Sequence, residues 1–305
     1  TYFMHDKKIA SQVILKDITR RKKEEELRKA TETKLNEAIQ CNKIITEFFA
    51  NISHEFKTPL NIILGTFQLF IMNLKEEDEE KHSKEFYKRI RIMQQNCYRL
   101  IRLVNNLIDI TKIDSGYFSL NPKIHNIVSL IENVTLSVAE YIQGKELKLI
   151  FDTNIEEEIM SIDPDSIERI ILNLLSNAVK FTNPGGTIKV TVHSSGDILT
   201  VSIKDTGIGI PEDKKDIIFD RFRQVDKLLT RKHEGSGIGL SLVKSLVEMH
   251  GGTISVESSQ DIGTEFILKF PITIVGDSCF GYSNTINCQH DCVERINIEF
   301  SDIYS

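Results

Sequence analysis

The chain has 305 residues with 40% hydrophobic character and 16 glycines, which excludes a disordered, collagenous or disulfide-stapled protein and is long enough for two or three small domains. Its net charge of -6 argues against nucleic acid as a partner, because nucleic-acid binding depends on a basic field. Five cysteines, an odd number, do not make a secreted disulfide framework, so a reducing cytoplasm is the expected location. No run of apolar residues reaches membrane-spanning length and no secretory leader opens the chain. Since the first residue is Thr1, an upstream part carrying a membrane anchor is left open.

Residues 8 to 18 contain a short β-branched run that reads as the last strand of an earlier domain ending at residue 19. From Arg20 the chain is rich in helix formers, and no proline occurs before Pro59. Leu35, Ala38, Ile45, Phe49, Ile52 and Phe56 recur at steps of three, four or seven, the seam of a coiled coil over 20–44 continuing into a helix. The basic run from Arg20 to Lys23 is followed at once by glutamates and reads as a solvated helix face. A charged loop at 75–84 separates this helix from a second, in which Phe86, Ile90, Met93, Cys97, Leu100, Val104 and Leu107 alternate steps of four and three. Two helices joined by a polar loop make a helical hairpin over 45–114, and its apolar seam is too wide for one hairpin to cover. A four-helix bundle formed by a homodimer covers it.

Residues 115–125 read as a linker with Gly and Pro, and beyond it the periods mix. A helix is expected over 126–142, a strand over 148–152, a helix over 164–181, a hairpin pairing 187–194 with 198–205, a helix over 236–250, and strands at 253–258 and 265–270. The fold class is therefore α+β: a dimeric helical hairpin followed, over 126–271, by a sandwich with an antiparallel or mixed sheet covered on one face.

Four segments of this second half carry chemistry. Asn173 and Asn177 lie four apart on one helix, so their amides share a face, with Lys180 one turn on. Asp205 ends a strand and is followed by Gly207 and Gly209, which let a backbone approach a ligand. Gly235, Gly237 and Gly239 open a helix whose backbone N–H groups suit phosphate. Gly263 and Thr264 precede the last strand. There is no GxxxxGK[ST] segment, and the glycines at 235–239 follow a polar stretch rather than a strand, which excludes the P-loop and the dinucleotide fingerprint.

Taken together, NISHEFKTPL, ILNLLSNAVKFT, DTGIGI, IFDRF and GSGIGLSLVK stand in the order and spacing of the five boxes of two-component sensor histidine kinases, which the chain resembles over about residues 20 to 271. The resemblance implies a gyrase-type (Bergerat) ATP-binding domain behind a dimerisation and histidine-phosphotransfer hairpin. VILKDITRRKKEEEL is similar to the end of a PAS sensory domain running into its output helix, which makes 1–19 part of an upstream sensory domain. By the same likeness His54 is the phosphoacceptor, Glu55 the base that takes its ring proton, and Thr58 the residue that orients water when the partner regulator is dephosphorylated. Asn177 would hold Mg²⁺ with Asn173 beside it, Lys180 would face the phosphates of ATP, and Phe181 the adenine. Asp205 would accept from the adenine amino group, while Gly207, Gly209, Gly235, Gly237, Gly239 and Thr264 shape the pocket. A lid over about 211–236 would be anchored by Phe219 and Phe222. Gln224 departs from the pattern, since many relatives carry arginine there; Arg221 or Arg223 is the expected substitute. The partner implied is the receiver domain of a response regulator.

After Pro271 the resemblance stops. The tail over 272–305 holds Cys279, Cys288, His290 and Cys292 in a spacing that fits no common zinc module. Ile296, Ile298 and Phe300 alternate with polar residues and are expected to add a strand to an exposed sheet edge.

Overall fold

The computed structural model describes residues 22–23, 25–29, 31–36, 39, 53, 56–69, 79–220, 237–272 and 295–301. The chain divides into two units, Thr1–Ser53 and His54–Ser305. In the first, the described residues between 22 and 39 are helical and carry exposed ion pairs one turn apart, Lys29–Glu25 and Arg28–Glu32. Such pairs contribute only about 0.3–0.5 kcal/mol each. Leu27, Leu35 and Ile39 are more than half exposed on this single helix. The strand expected at 8–18 lies outside the described residues.

The second unit opens with helix α1 over 56–69 and the 36-residue helix α2, Glu79–Asp114. Helix α1 runs through Thr58 although Pro59 follows it, and α2 begins inside the charged stretch at 75–84. Glutamate and lysine are strong helix formers, so the charge run extends the helix rather than ending it. Among the described residues, no helix is long and apolar enough to cross a membrane.

Behind α2 come β1 (Lys123–Asn126), α3 (Ile127–Ser137), α4 (Ala139–Gly144), β2 (Lys148–Thr153), β3 (Ile159–Ile162) and α5 (Pro164–Phe181). They are followed by β4 (Thr187–Ser195), β5 (Ile198–Asp205), a 3-10 turn at Glu212–Lys214, α6 (Gly239–Met249), β6 (Thr253–Ser259) and β7 (Gly263–Pro271). Residues 295–299 form a last short helix, α7. Five strands make one sheet in the order β2-β4-β5-β7-β6, with β2 parallel to β4 and every other neighbour antiparallel. The sheet is thus mixed. Its inner positions, Ile188, Val190 and Val192 on β4, Leu199, Val201 and Ile203 on β5, and Phe266, Leu268 and Phe270 on β7, are buried, with α5 against β5, α6 against β6 and α3 packed on α5. Alternation along each strand leaves residues such as Lys189, Thr200 and Lys269 on the outer face, so the domain is a two-layer sandwich.

Helix ends follow local chemistry. Asp163 accepts from the N–H groups of Asp165 and Ser166 ahead of Pro164, and Asn126 does the same for Val128 and Ser129 at α3. The helix expected over 126–142 is broken at Val138, a fully buried residue at φ −103°, ψ 3° that closes α3 and starts α4. Two four-residue strands, β1 and β3, pair with each other and were not read from the sequence, β1 falling in the expected linker. Such short segments carry too few residues for a period to show.

Candidate nucleotide site

The carboxylate of Asp205 sits at the C-terminal end of β5, 6% exposed, with its Oδ1 accepting the N–H groups of Gly207 at 2.8 Å and Thr264 at 3.3 Å. Burial pushes its pKa up, and those two bonds pull it part of the way back. Among the described residues both bonds fall on Oδ1, so Oδ2 is left to accept from a ligand's amino group. The loop after Asp205 is held against α5, because the N–H of Ile208 donates to the carbonyl of Phe181 at 3.1 Å. A side chain at Gly207 would collide with that same carbonyl. Gly209 takes φ +67°, a conformation that disfavours L side chains, and its backbone lies against Ser259.

Ser258, which sequence reasoning missed, ties these pieces together. Its Oγ accepts from the N–H of Ile210 at 2.8 Å, donates to the carbonyl of Gly263 at 2.8 Å and lies 3.0 Å from the hydroxyl of Thr264. The signal was available: on β6 it shares the inward parity of Ile254 and Val256, so a buried hydroxyl at that position needs partners.

On α5, Asn173 is 2% exposed and its Oδ1 accepts from the amide of half-buried Asn177 at 3.3 Å. That bond occupies the Asn177 amide nitrogen, and the amide oxygen remains as a hard ligand. One such oxygen with phosphate oxygens and water is a donor set that suits Mg²⁺. Gly239, first in α6, lies so close that a Cβ there would be 2.9 Å from both amide atoms of Asn173, which seats the start of α6 on α5. Unlike α3 and α5, α6 has no side-chain cap, so its first N–H groups face outward as donors for an anion. Gly237 at φ +66° turns the chain into that helix, which begins at Gly239 rather than at Ser236. The Lys180 ammonium lies 5.5 Å over the ring of Phe181.

The structure therefore joins Asp205, Gly207 and Thr264 directly, sets Gly239 against Asn173 and its partner Asn177, and takes positive-φ turns at Gly209 and Gly237; α5 is common to both groups, and the space they border, from the end of β5 to the start of α6, is the candidate nucleotide cleft. Thr58 lies on α1, half-buried. His54, Glu55, Gly235, Phe222, Gln224, Arg221, Arg223 and the tail cysteines lie outside the described residues, and so does most of the expected lid. Of the lid anchors, the ring of Phe219 packs edge-on to Phe266 at 6.2 Å. The strand expected at 296–300 is instead the helix α7: Ile296, Glu299 and Phe300 also recur at helical spacing, and burial of that face decides between the two periods. Among the described residues there is no cluster of metal-ligating side chains.

A mixed sheet under three helices, with a buried aspartate at a strand end and an uncapped helix start beside an asparagine pair, defines a gyrase-like ATP-binding domain. Residues 162–274 match the family of histidine kinase-, DNA gyrase B- and HSP90-like ATPases, and residues 45–116 match the histidine kinase A phosphoacceptor domain. Hybrid signal transduction histidine kinase D of Dictyostelium discoideum is 36% identical over 256 residues, which are 82% of this chain and 16% of that protein. Sensor protein SrrB of Staphylococcus aureus is 34% identical over 228 residues, 74% of this chain and 38% of that one. The crystal structure of histidine kinase ThkA in complex with response regulator protein TrrA superposes with a TM-score of 0.56 at 25% identity, covering 77% of this chain and 64% of that one. The chain thus carries the two domains of a histidine kinase, the phosphoacceptor domain and the ATPase domain, and it spans well under half the length of these two curated relatives.

Proposed function

We propose that the chain autophosphorylates His54 with ATP and passes the phosphoryl group to an aspartate on the receiver domain of a response regulator. The observation that carries this reading is the cleft around Asp205, in one chain with the phosphoacceptor match at 45–116. Neutral imidazole attacks the γ-phosphorus, the bond to the ADP oxygen breaks, and Glu55 takes the second ring proton, since a protonated ring has no lone pair to offer. Asp205 holds adenine through its amino group, with Phe181 beside the ring. The N–H groups at the start of α6 and Lys180 receive the phosphates, Thr264 fixes Asp205, and Gly207, Gly209, Gly235, Gly237 and Gly239 keep the backbone close. Asn177, steadied by Asn173, would hold Mg²⁺, which when bound neutralises charge on the triphosphate. Protein groups otherwise act by positioning the reactants. Arg221 or Arg223 replaces the arginine that relatives carry at the place of Gln224.

The proposed organisation assigns 1–19 to the end of a PAS-like sensory domain, 20–44 to a signalling coiled coil, 45–114 to the dimerisation and phosphotransfer hairpin and 126–271 to the ATP-binding domain, with a linker at 115–125 and a tail at 272–305. Exposed Ile90, Ile101, Val104 and Ile108 on α2, with Leu60, Leu64 and Phe67 on α1, support a homodimer that buries them. Thr58, four residues past His54 on the same helical face, would orient the water that dephosphorylates the regulator. A cytoplasmic location follows from the need for ATP. The test is incubation with γ-labelled ATP followed by acid and base treatment: label that is lost in acid and survives base is phosphohistidine, and its absence would overturn the reading.

A further inference from the structure

The segment 295–301 lies beyond the residues that any role has been given to, yet most of it is buried. Ile296, Glu299, Phe300 and Ser301 are all below 9% exposed. The segment touches the hairpin on one side. Glu299 pairs with Arg102 of α2 at 2.9 Å, both side chains being nearly buried (8% and 11% exposed), and the amide of Gln95 donates to the carbonyl of Ser301 at 3.0 Å. On the other side it touches the ATP-binding domain. The hydroxyl of Ser176 on α5 donates to the carbonyl of Glu299 at 2.9 Å, and Arg295 bonds Asp165 at 2.6 Å and Glu168 at 2.7 Å. The ring of Phe300 meets Tyr141 of α4 edge-on at 5.2 Å. Next to it the two domains also meet directly, where Arg169 of α5 bonds Asn106, at 2.7 Å, and Asp109 on α2.

We infer that residues 295–301 are an intramolecular clamp that fastens the ATP-binding domain to α2 and restrains the kinase reaction. The inference rests on the kinase reading above. A carboxylate buried in a contact between two domains is costly unless its cation partner stays in place, so the Arg102–Glu299 pair specifies one docked arrangement and resists sliding. In that arrangement α5 turns its Ser176 and Arg169 side toward the clamp and α2. Asn177 follows Ser176 in the chain, and one residue advances about 100° around a helix. Asn177, the proposed Mg²⁺ ligand, is thus set about 100° aside from the docked Ser176, whereas Asn173, four residues from Arg169 and three from Ser176, lies next to the docked side. Delivery of a phosphoryl group requires the domain to rotate, and the contacts of 295–301 on both sides must break first.

The test uses the full chain with Arg102→Glu, Glu299→Arg and the double charge swap, together with a chain ended before Arg295. Hydrogen exchange over 95–109 and 295–301 reports the docking, the initial rate of labelling from saturating γ-labelled ATP reports the restraint, and a fluorescent ATP analogue confirms that the domain is folded. Each single reversal and the shortened chain should speed labelling several-fold and loosen exchange along α2, while the double swap restores both toward wild type. Unchanged exchange and rate in the single reversals, slower labelling in the shortened chain with nucleotide binding intact, or no rescue by the swap would each overturn the clamp. A wild-type chain that takes up no label sinks the kinase reading and the restraint with it, and leaves the exchange data to judge the docking alone.

Discussion

Asp205 carries opposing demands: it must be buried to read a flat base, and burial raises its pKa. A group whose folded pKa lies above its unfolded value contributes stability that is complete below the unfolded pKa and lost as pH rises through the folded one. The nucleotide-free chain should accordingly lose part of its stability between acid and neutral pH, and Asp205→Asn should remove that loss while weakening ATP-analogue binding by at least about tenfold, the worth of a charged hydrogen bond. Thermal melts across pH, paired with a titration of the analogue, check both halves. At the phosphoacceptor, His54→Gln should abolish labelling and leave analogue affinity unchanged, because the imidazole supplies the nucleophile and has no part in the cleft. Label that persists in this variant would move the phosphoacceptor elsewhere. Thr58→Ala should keep labelling within a few-fold and slow the loss of label from a receiver domain, since a hydroxyl that positions water is not needed for attack by imidazole. Equal losses in both assays would mean that Thr58 only shapes the helix before Pro59.

Among the elements, α2 shows what a single chain leaves uncovered. Phe86, Ile90 and Val104 of the heptad read from the sequence are exposed, joined by Ile101 and Ile108 beside that seam, whereas Leu103, Asn106 and Ile110 on the neighbouring face are buried. In the proposed homodimer a second copy covers this stripe. Val104→Glu should then bury an unpaired charge at the dimer centre, at a cost of about 3 kcal/mol or more, raising the dimer dissociation constant about 100-fold or more in sedimentation. The heptad was legible because core formation imposes a period on consecutive residues, and the same holds for β4, β5, α5 and β7. Strands β1 and β3 were not, since four residues cannot display a period and their pairing comes from residues far apart in the chain. Helix α7 was misread for a related reason: its few apolar residues satisfy both periods, and only its neighbours choose between them.

On the scale of the whole molecule, ligand binding to one domain should stabilise that domain by mass action. ATP analogue with Mg²⁺ at 100 times its dissociation constant should add about 2.7 kcal/mol, seen as a rise in the melting temperature that Asp205→Asn largely removes. An equal rise in the variant would place the nucleotide outside the cleft. Residue type, spacing and order alone determined the helical hairpin, the sandwich, the glycine-lined turns and the pairing of Asn173 with Asn177 on one helix face, because each of these rests on local periods or on short segments with fixed chemistry. Tertiary structure alone decided that Ser258 joins the loop after Asp205 to β7, that β2 runs parallel to β4, and that residues 295–301 lie between α2 and α5. Those facts depend on burial and on partners distant in the chain, such as the cation of Arg102 for the carboxylate of Glu299, and no window of neighbouring residues contains them.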